Sequence, residues 1–111
     1  MKQIAMEHGH WSPSEKKIAH AVFEAALEQE LAHTLAEFKR RAAALNSADQ
    51  MWALRSFLES SEREIQGKYD FRCSQLLFVF GRLVREGRVS AAQLQGLSQD
   101  KLDTIRRIVE L

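Results

Sequence analysis

From Pro13 to Leu45 the chain runs without a glycine or a second proline, and apolar side chains recur every three or four positions. Ile18, Val22, Ala25, Ala32, Leu35, Phe38, Ala42 and Leu45 form a stripe that Phe23, Leu27 and Leu31 widen. That spacing is the period of an amphipathic α-helix. Its start is marked by Ser12-Pro13-Ser14-Glu15: Ser12 can cap, Pro13 suits the first helical position, and Glu15 completes a capping box. Such a helix would be about 49 Å long at 1.5 Å per residue. A globule of this chain length has a diameter of only about 34 Å. The helix therefore outruns its own domain, and its uncovered apolar stripe needs a partner. A second copy of the chain is the simplest one, because closed twofold dimers are the commonest assembly. Leu35, mid-stripe, is expected in that seam.

Asn46 to Gln50 breaks the pattern, with Ser47 and Gln50 able to form a second capping box. A second helix follows through Met51, Trp52, Leu54, Phe57, Leu58 and Ile65, crosses the polar stretch Glu59 to Glu64, and is expected to kink or break near Gly67. From Tyr69 to Arg85 the residues are apolar nearly all round, which suits a helix buried on most sides. The run Leu76 to Phe80 could also be a strand, but no second strand candidate accompanies it. Gly87 supplies a stop, and Ser90 and Ser98 open two short helices anchored by Leu94, Leu97, Leu102, Ile105, Ile108 and Val109. These should pack on the Leu76 to Phe80 region as a small head.

Composition narrows the function classes. One proline and five glycines in 111 residues favour helices over a many-stranded sandwich. Sixteen Lys and Arg against fifteen Asp and Glu leave a net charge of +1, which offers no electrostatic footprint for nucleic acid or an anionic membrane. A nucleic-acid-associated regulator is thus disfavoured, and no helix-turn-helix is recognisable. A single cysteine, Cys73, fits a reducing compartment such as the cytoplasm and, lying among apolar residues, reads as a buried inert thiol rather than a reactive one. The first eleven residues hold no apolar run of signal-peptide length, and no stretch approaches the ~20 residues that span a bilayer.

Catalytic and metal-binding constellations are missing. His8 and His10 lie near the start, and His20 and His33 have no cysteine at zinc-site spacing. No histidine follows Cys73, there is no phosphate-cradling glycine loop, and no cofactor is implied. Glu59, Glu62 and Glu64 suggest carboxylate chemistry, yet Glu59 with Arg63 reads more simply as a solvated ion-pairing face. Arg40-Arg41 and Arg106-Arg107 are weak basic doublets at helix ends. What stands out is Trp52 with Arg55, Phe57 and nearby Arg63, the residue types of interface hot spots. Trp52 is either a core side chain or part of a dimer or partner interface.

The residues Trp11-Ser12 with Glu15, Ala19-His20-Ala21 with Phe23, Glu30-Leu31, Trp52 with Leu54, Phe57-Leu58, Glu64-Ile65, Gly67-Lys68-Tyr69-Asp70, Phe78-Val79-Phe80 and Glu86-Gly87 resemble the fluorescence recovery proteins of cyanobacteria and their relatives. The likeness covers nearly the whole chain, and the run Gly67 to Asp70 followed by Phe78 to Phe80 is its most specific part. The resemblance implies an all-α homodimer that is not an enzyme. It implies as partner the C-terminal domain of the orange carotenoid protein, whose return from the red to the orange form such proteins hasten, ending phycobilisome quenching. Carried over by position, Trp52 matches the functional tryptophan, Phe78 an aromatic of the head and Leu35 a leucine of the dimer stalk.

The cyanobacterial pattern has histidine and aspartate where this chain has Arg55 and Ser56, arginine at Glu62 and lysine at Thr104. Charge complementarity governs partner choice, so the same scaffold could serve another protein partner. The expectation is one domain over 1–111: a flexible N-terminus over 1–11, a long first helix and a kinked second helix forming a dimeric stalk over 12–66, and a small helical head over 67–111. Partner contacts are expected at Trp52, Arg55, Ser56, Glu62, Phe78 and Thr104, and dimer contacts at Leu31, Leu35, Phe38 and Trp52.

Overall fold

The computed structural model describes residues 10–111, and all regular elements among them are helical. They are α1 (Pro13–Ala43), α2 (Ala48–Lys68), α3 (Leu76–Arg85), a 3-10 turn (Ala91–Leu94) and α4 (Gln99–Val109). The apolar run Leu76–Phe80 is the first half of α3, not a strand. Contacts divide the chain into two units, one holding the chain up to Ala26 and from Asp70 to Leu111, the other Leu27–Tyr69. The division falls after Tyr69 rather than at 66, and the start of α1 belongs with the C-terminal helices.

In the first unit, α1 opens with the expected capping box. Ser12 N donates to Glu15 Oε1 at 3.0 Å and Glu15 N donates to Ser12 Oγ at 3.1 Å. Trp11, taken from the sequence as the end of a free N-terminus, is instead 4% exposed, with Lys101 Nζ 4.9 Å from its ring centroid. Residues 1–9 of that expectation, His8 among them, lie outside the described residues. The buried face of α1 here is Ala19, Val22, Phe23 and Ala26. Ala25 and Ala32 of the expected stripe are exposed. Leu76, Leu77, Val79, Phe80 and Leu83 of α3, with Val89, Leu94, Leu97 and Ile105, complete this core. Burying side chains such as Phe80 and Leu83 fully contributes about 2 to 3 kcal/mol each. Gly87, at φ +78°, ends α3 in the left-handed conformation that glycine adopts without steric cost.

Two expectations fail between α2 and α3. The second helix does not kink at Gly67 but runs unbroken to Lys68, whose ammonium is held by Glu30. The next helix starts at Leu76, not Tyr69. Asp70 captures Arg72 through its backbone N at 3.1 Å and its guanidinium Nε at 3.0 Å, a local turn that competes with helix. Cys73 therefore sits on a turn and is exposed, which corrects its reading as a buried thiol.

The second unit is a helical hairpin of the later part of α1 and α2. Ser47 Oγ caps α2 by accepting from Gln50 N at 3.1 Å, while Gln50 Oε1 accepts from Asn46 N at 2.8 Å, one residue earlier than a regular capping box. Arg41 stacks over Phe57, 4.1 Å from the ring centroid. Leu54 is the one buried apolar residue of this unit among those described. Lys68, at the end of α2, is also buried, donating to both oxygens of Glu30 at 3.0 and 2.8 Å, and Tyr69 Oη donates to Glu30 Oε1 at 2.8 Å.

Candidate functional site

On α2, Trp52 is 57% exposed, so its reading as a core residue is set aside. Arg55, Ser56 and Glu62 are also exposed, with Arg55 Nε 3.5 Å from Glu59 Oε2. At about 100° per residue, Leu58 and Ile65 share one line of the helix, Glu62 and Arg55 come next, and Trp52 follows within a sweep of about 120°. The charged side chains thus lie between an apolar edge and the tryptophan.

That apolar edge borders a trough. Leu31, Thr34, Leu35 and Phe38 of α1 face Leu58 of α2, and the trough continues along Ser61, Glu62, Ile65 and Gln66. Leu31 and Leu35 are 48% and 52% exposed, while Phe38 is half-buried. The expected dimer residues Leu31, Leu35 and Phe38 are therefore brought together on one open apolar surface. Trp52 lies on the same unit but lines neither stretch of the trough.

Phe78 and Thr104 belong to the first unit. Phe78 is 58% exposed although most of α3 is buried. Thr104 Oγ1 donates to Asp100 O at 2.9 Å and accepts from Arg107 Nη2 at 3.2 Å.

Sequence reasoning passed over two buried charged clusters. Glu15 was singled out only as a cap, yet it also accepts from Ser98 N at 2.8 Å and from Lys101 Nζ at 3.3 Å. Lys101 Nζ further donates to His10 O at 2.6 Å. Burial opposes ionisation of Glu15 and is the largest single influence on it. The bonds from Ser12, Ser98 and Lys101 together outweigh that effect and hold its carboxyl below the ordinary value of 4.5. Glu30 with Lys68 and Tyr69 is the second cluster, and the available signal was a glutamate four residues after Ala26 on the same helix face. On the surface of α1, hydrogen bonds from Arg40 and Arg41 bring the Glu37 carboxyl down to about 2.

Among the described residues no cluster of three or more His, Cys, Asp or Glu could hold a metal ion. No helix among them is long and apolar enough to cross a membrane. Their open apolar trough, exposed aromatic residues and adjacent charges are suited to binding protein surfaces.

The family model described as photoprotection regulator fluorescence recovery protein matches residues 11–109. The fluorescence recovery protein of Synechocystis sp. is 40% identical over 101 residues, spanning 91% of this chain and 93% of that protein. The solved structure of the Fremyella diplosiphon fluorescence recovery protein superposes with a TM-score of 0.89 at 34% identity, covering 92% of this chain and 100% of that one. That of the Synechocystis protein gives 0.88 at 39% identity, with the same coverage. On a match that runs through nearly every described element, the chain belongs to the fluorescence recovery protein family of photoprotection regulators.

Proposed function

We propose that the protein acts in the cytoplasm as a homodimer that binds the C-terminal domain of an orange carotenoid protein and hastens its return from the red to the orange form. It does so as a binder and not as an enzyme. A binder alters a conformational change only through unequal affinity for the states along it. Holding the separated domain in a geometry close to the closed state favours the way back. The observation that carries this reading is Trp52, 57% exposed at the edge of a charged strip on α2, where a core tryptophan would be enclosed. A second copy covering Leu31, Leu35 and Phe38 accounts for the exposed trough, with 12–66 as its stalk and 67–111 as a head bearing Phe78 and Thr104.

A different protein partner on the same scaffold is favoured by one feature. The exposed strip carries Arg55, Ser56 and Glu62, a charge pattern unlike the one the family resemblance implies. The two readings separate in one assay, in which a purified red-form carotenoid protein is mixed with the dimer and the loss of red absorbance is followed in the dark. Full acceleration by the unmodified chain supports the first reading. Weak acceleration that rises at least about tenfold in the triple variant Arg55→His, Ser56→Asp, Glu62→Arg supports the second. The sites are close enough to couple, so the triple change is the fair comparison. No acceleration by either chain overturns the proposed activity.

A further inference from the structure

Gly81 of α3 lies against Ile108 of α4, so closely that a Cβ there would overlap Ile108 Cγ2 and come within 2.9 Å of Ile108 Cβ. Beside this contact the two helices and the 3-10 turn leave a cleft of about 190 Å³. Six apolar side chains line it: Val84 of α3, Ala91 and Leu94 of the turn, and Leu102, Ile105 and Val109 of α4. Leu94 and Ile105 are buried, while Val84, Leu102 and Val109 are only half-buried, so the cleft leaves part of the core of this unit unsealed. It is separate from the side of the unit that bears Phe78 and Thr104. At about 100° per residue, the four α4 residues of the cleft, Arg106 among them, fall within a sweep centred about 150° from Thr104, and Val84 stands about 120° from Phe78.

Two polar side chains complete the lining, Gln95 and Arg106, and both are exposed. Arg106 donates to Asp103 Oδ1 from one guanidinium nitrogen, Nη1, at 3.3 Å, and Asp103 Oδ1 also accepts from Gln99 Nε2 at 2.9 Å. A single contact of this kind between exposed groups is weak, and it leaves most of the guanidinium donors for another acceptor. Among the described residues no carboxylate lines the cleft. Its chemistry is therefore an apolar hollow with one cation and one amide.

We infer that this cleft is a binding site for a small monocarboxylate, its apolar body among Leu94, Leu102, Ile105 and Val109 and its carboxylate on Arg106, with the Gln95 amide as a second donor. An apolar space of about 150 Å³ takes a benzene-sized molecule, so this one suits a body of about seven carbons. Removal of that body from water drives it in, and the guanidinium pairs its charged end in a planar, two-bonded geometry. Hollows lined by apolar side chains with a few placed polar groups are the usual form of a small-molecule site. The inference goes beyond the proposed function and does not rest on it, since the cleft needs neither a protein partner nor a second copy.

The test titrates the isotope-labelled full chain with octanoate below its micellar range, and in parallel with heptylammonium, which has a like body and the opposite charge, and with acetate, which has the charge and almost no body. Octanoate is expected to shift the signals of Ala91, Leu94, Leu102 and Val109, and acetate to shift none of them. Heptylammonium should bind at least about tenfold more weakly, because its charge meets that of Arg106. Arg106→Gln should weaken octanoate binding at least about fivefold and abolish the preference over heptylammonium at an unchanged melting temperature. Ala91→Leu, which fills the hollow, should weaken it at least about tenfold, and Arg106→Gln decides alone if that variant does not fold. No response to octanoate, shifts confined to the trough between Leu31 and Leu58, equal binding of heptylammonium, or unchanged affinity in Arg106→Gln overturns the inference.

Discussion

The two units handle hydrophobic burial in opposite ways. Among the described residues, fourteen of the fifteen buried apolar side chains lie in the unit that joins the start of α1 to α3 and α4, and the helical hairpin of the other unit has only Leu54. The hairpin instead exposes Leu31, Leu35, Met51, Trp52 and Leu58, and it buries Glu30 and Lys68. A unit with a closed core can keep a few exposed side chains, such as Phe78, for binding. One whose apolar surface stays open depends on whatever covers it, so its stability and its association become a single equilibrium.

The largest effect that could break this contrast is expected from Leu35→Glu. If a second copy covers the trough, twofold symmetry places the new charge in the seam twice, at a cost of about 5 kcal/mol or more. The protein should become monomeric by light scattering while the first unit keeps its near-ultraviolet circular dichroism. A folded variant that stays dimeric would move the interface away from the trough.

Lys68→Met asks how far the hairpin relies on its buried ion pair. It leaves the Glu30 carboxylate without its ammonium, and removing one member of a buried pair costs about 3 to 5 kcal/mol. Thermal unfolding should show the loss, and adding Glu30→Leu should recover much of it. A double variant no better than the single would mean that Tyr69, not charge, dominates the cluster.

Within the closed core, Gly81→Ala should cost about 1 to 3 kcal/mol by overpacking against Ile108. Ile108→Ala should partly relieve it, and neither change should alter the association state measured by ultracentrifugation. A change in assembly would show that association depends on the packing of this core.

The smallest effect is a pH dependence. Because the folded-state pKa of Glu15 lies below its ordinary value of 4.5, its contribution is complete above that value and is lost as pH falls through the folded pKa. The melting-temperature gap between the unmodified chain and Glu15→Gln should therefore be full at pH 7 and narrow steadily as the solution is acidified below 4.5. A gap that stays constant with pH would assign the role of Glu15 to hydrogen bonding alone.

Much of the helix layout was legible because its causes are local. Ser12, Ser47, Ser90 and Ser98 each cap within three residues, and the first helix ends within two residues of where its stripe stops. The misreadings occur where another interaction prevailed over apolar content. Asp70 took hold of Arg72 and delayed α3, and Lys68 carried α2 past Gly67. For the candidate site, residue types flagged Trp52 and its neighbours, but not whether the ring was inside or out.

By itself, then, the sequence determined that the chain is helical, where most helices begin, that the first is the longest of those described, and which family it joins. These follow from hydrogen bonds and side-chain periods over a few residues, or from matched motifs. Only the tertiary structure decided which face of α1 is buried, that Cys73 and Trp52 are exposed, and that Glu30 meets Lys68 and Glu15 meets Lys101. Those partners are separated by 38 and 86 residues, and at such distances only the packing of the helices brings charge to charge.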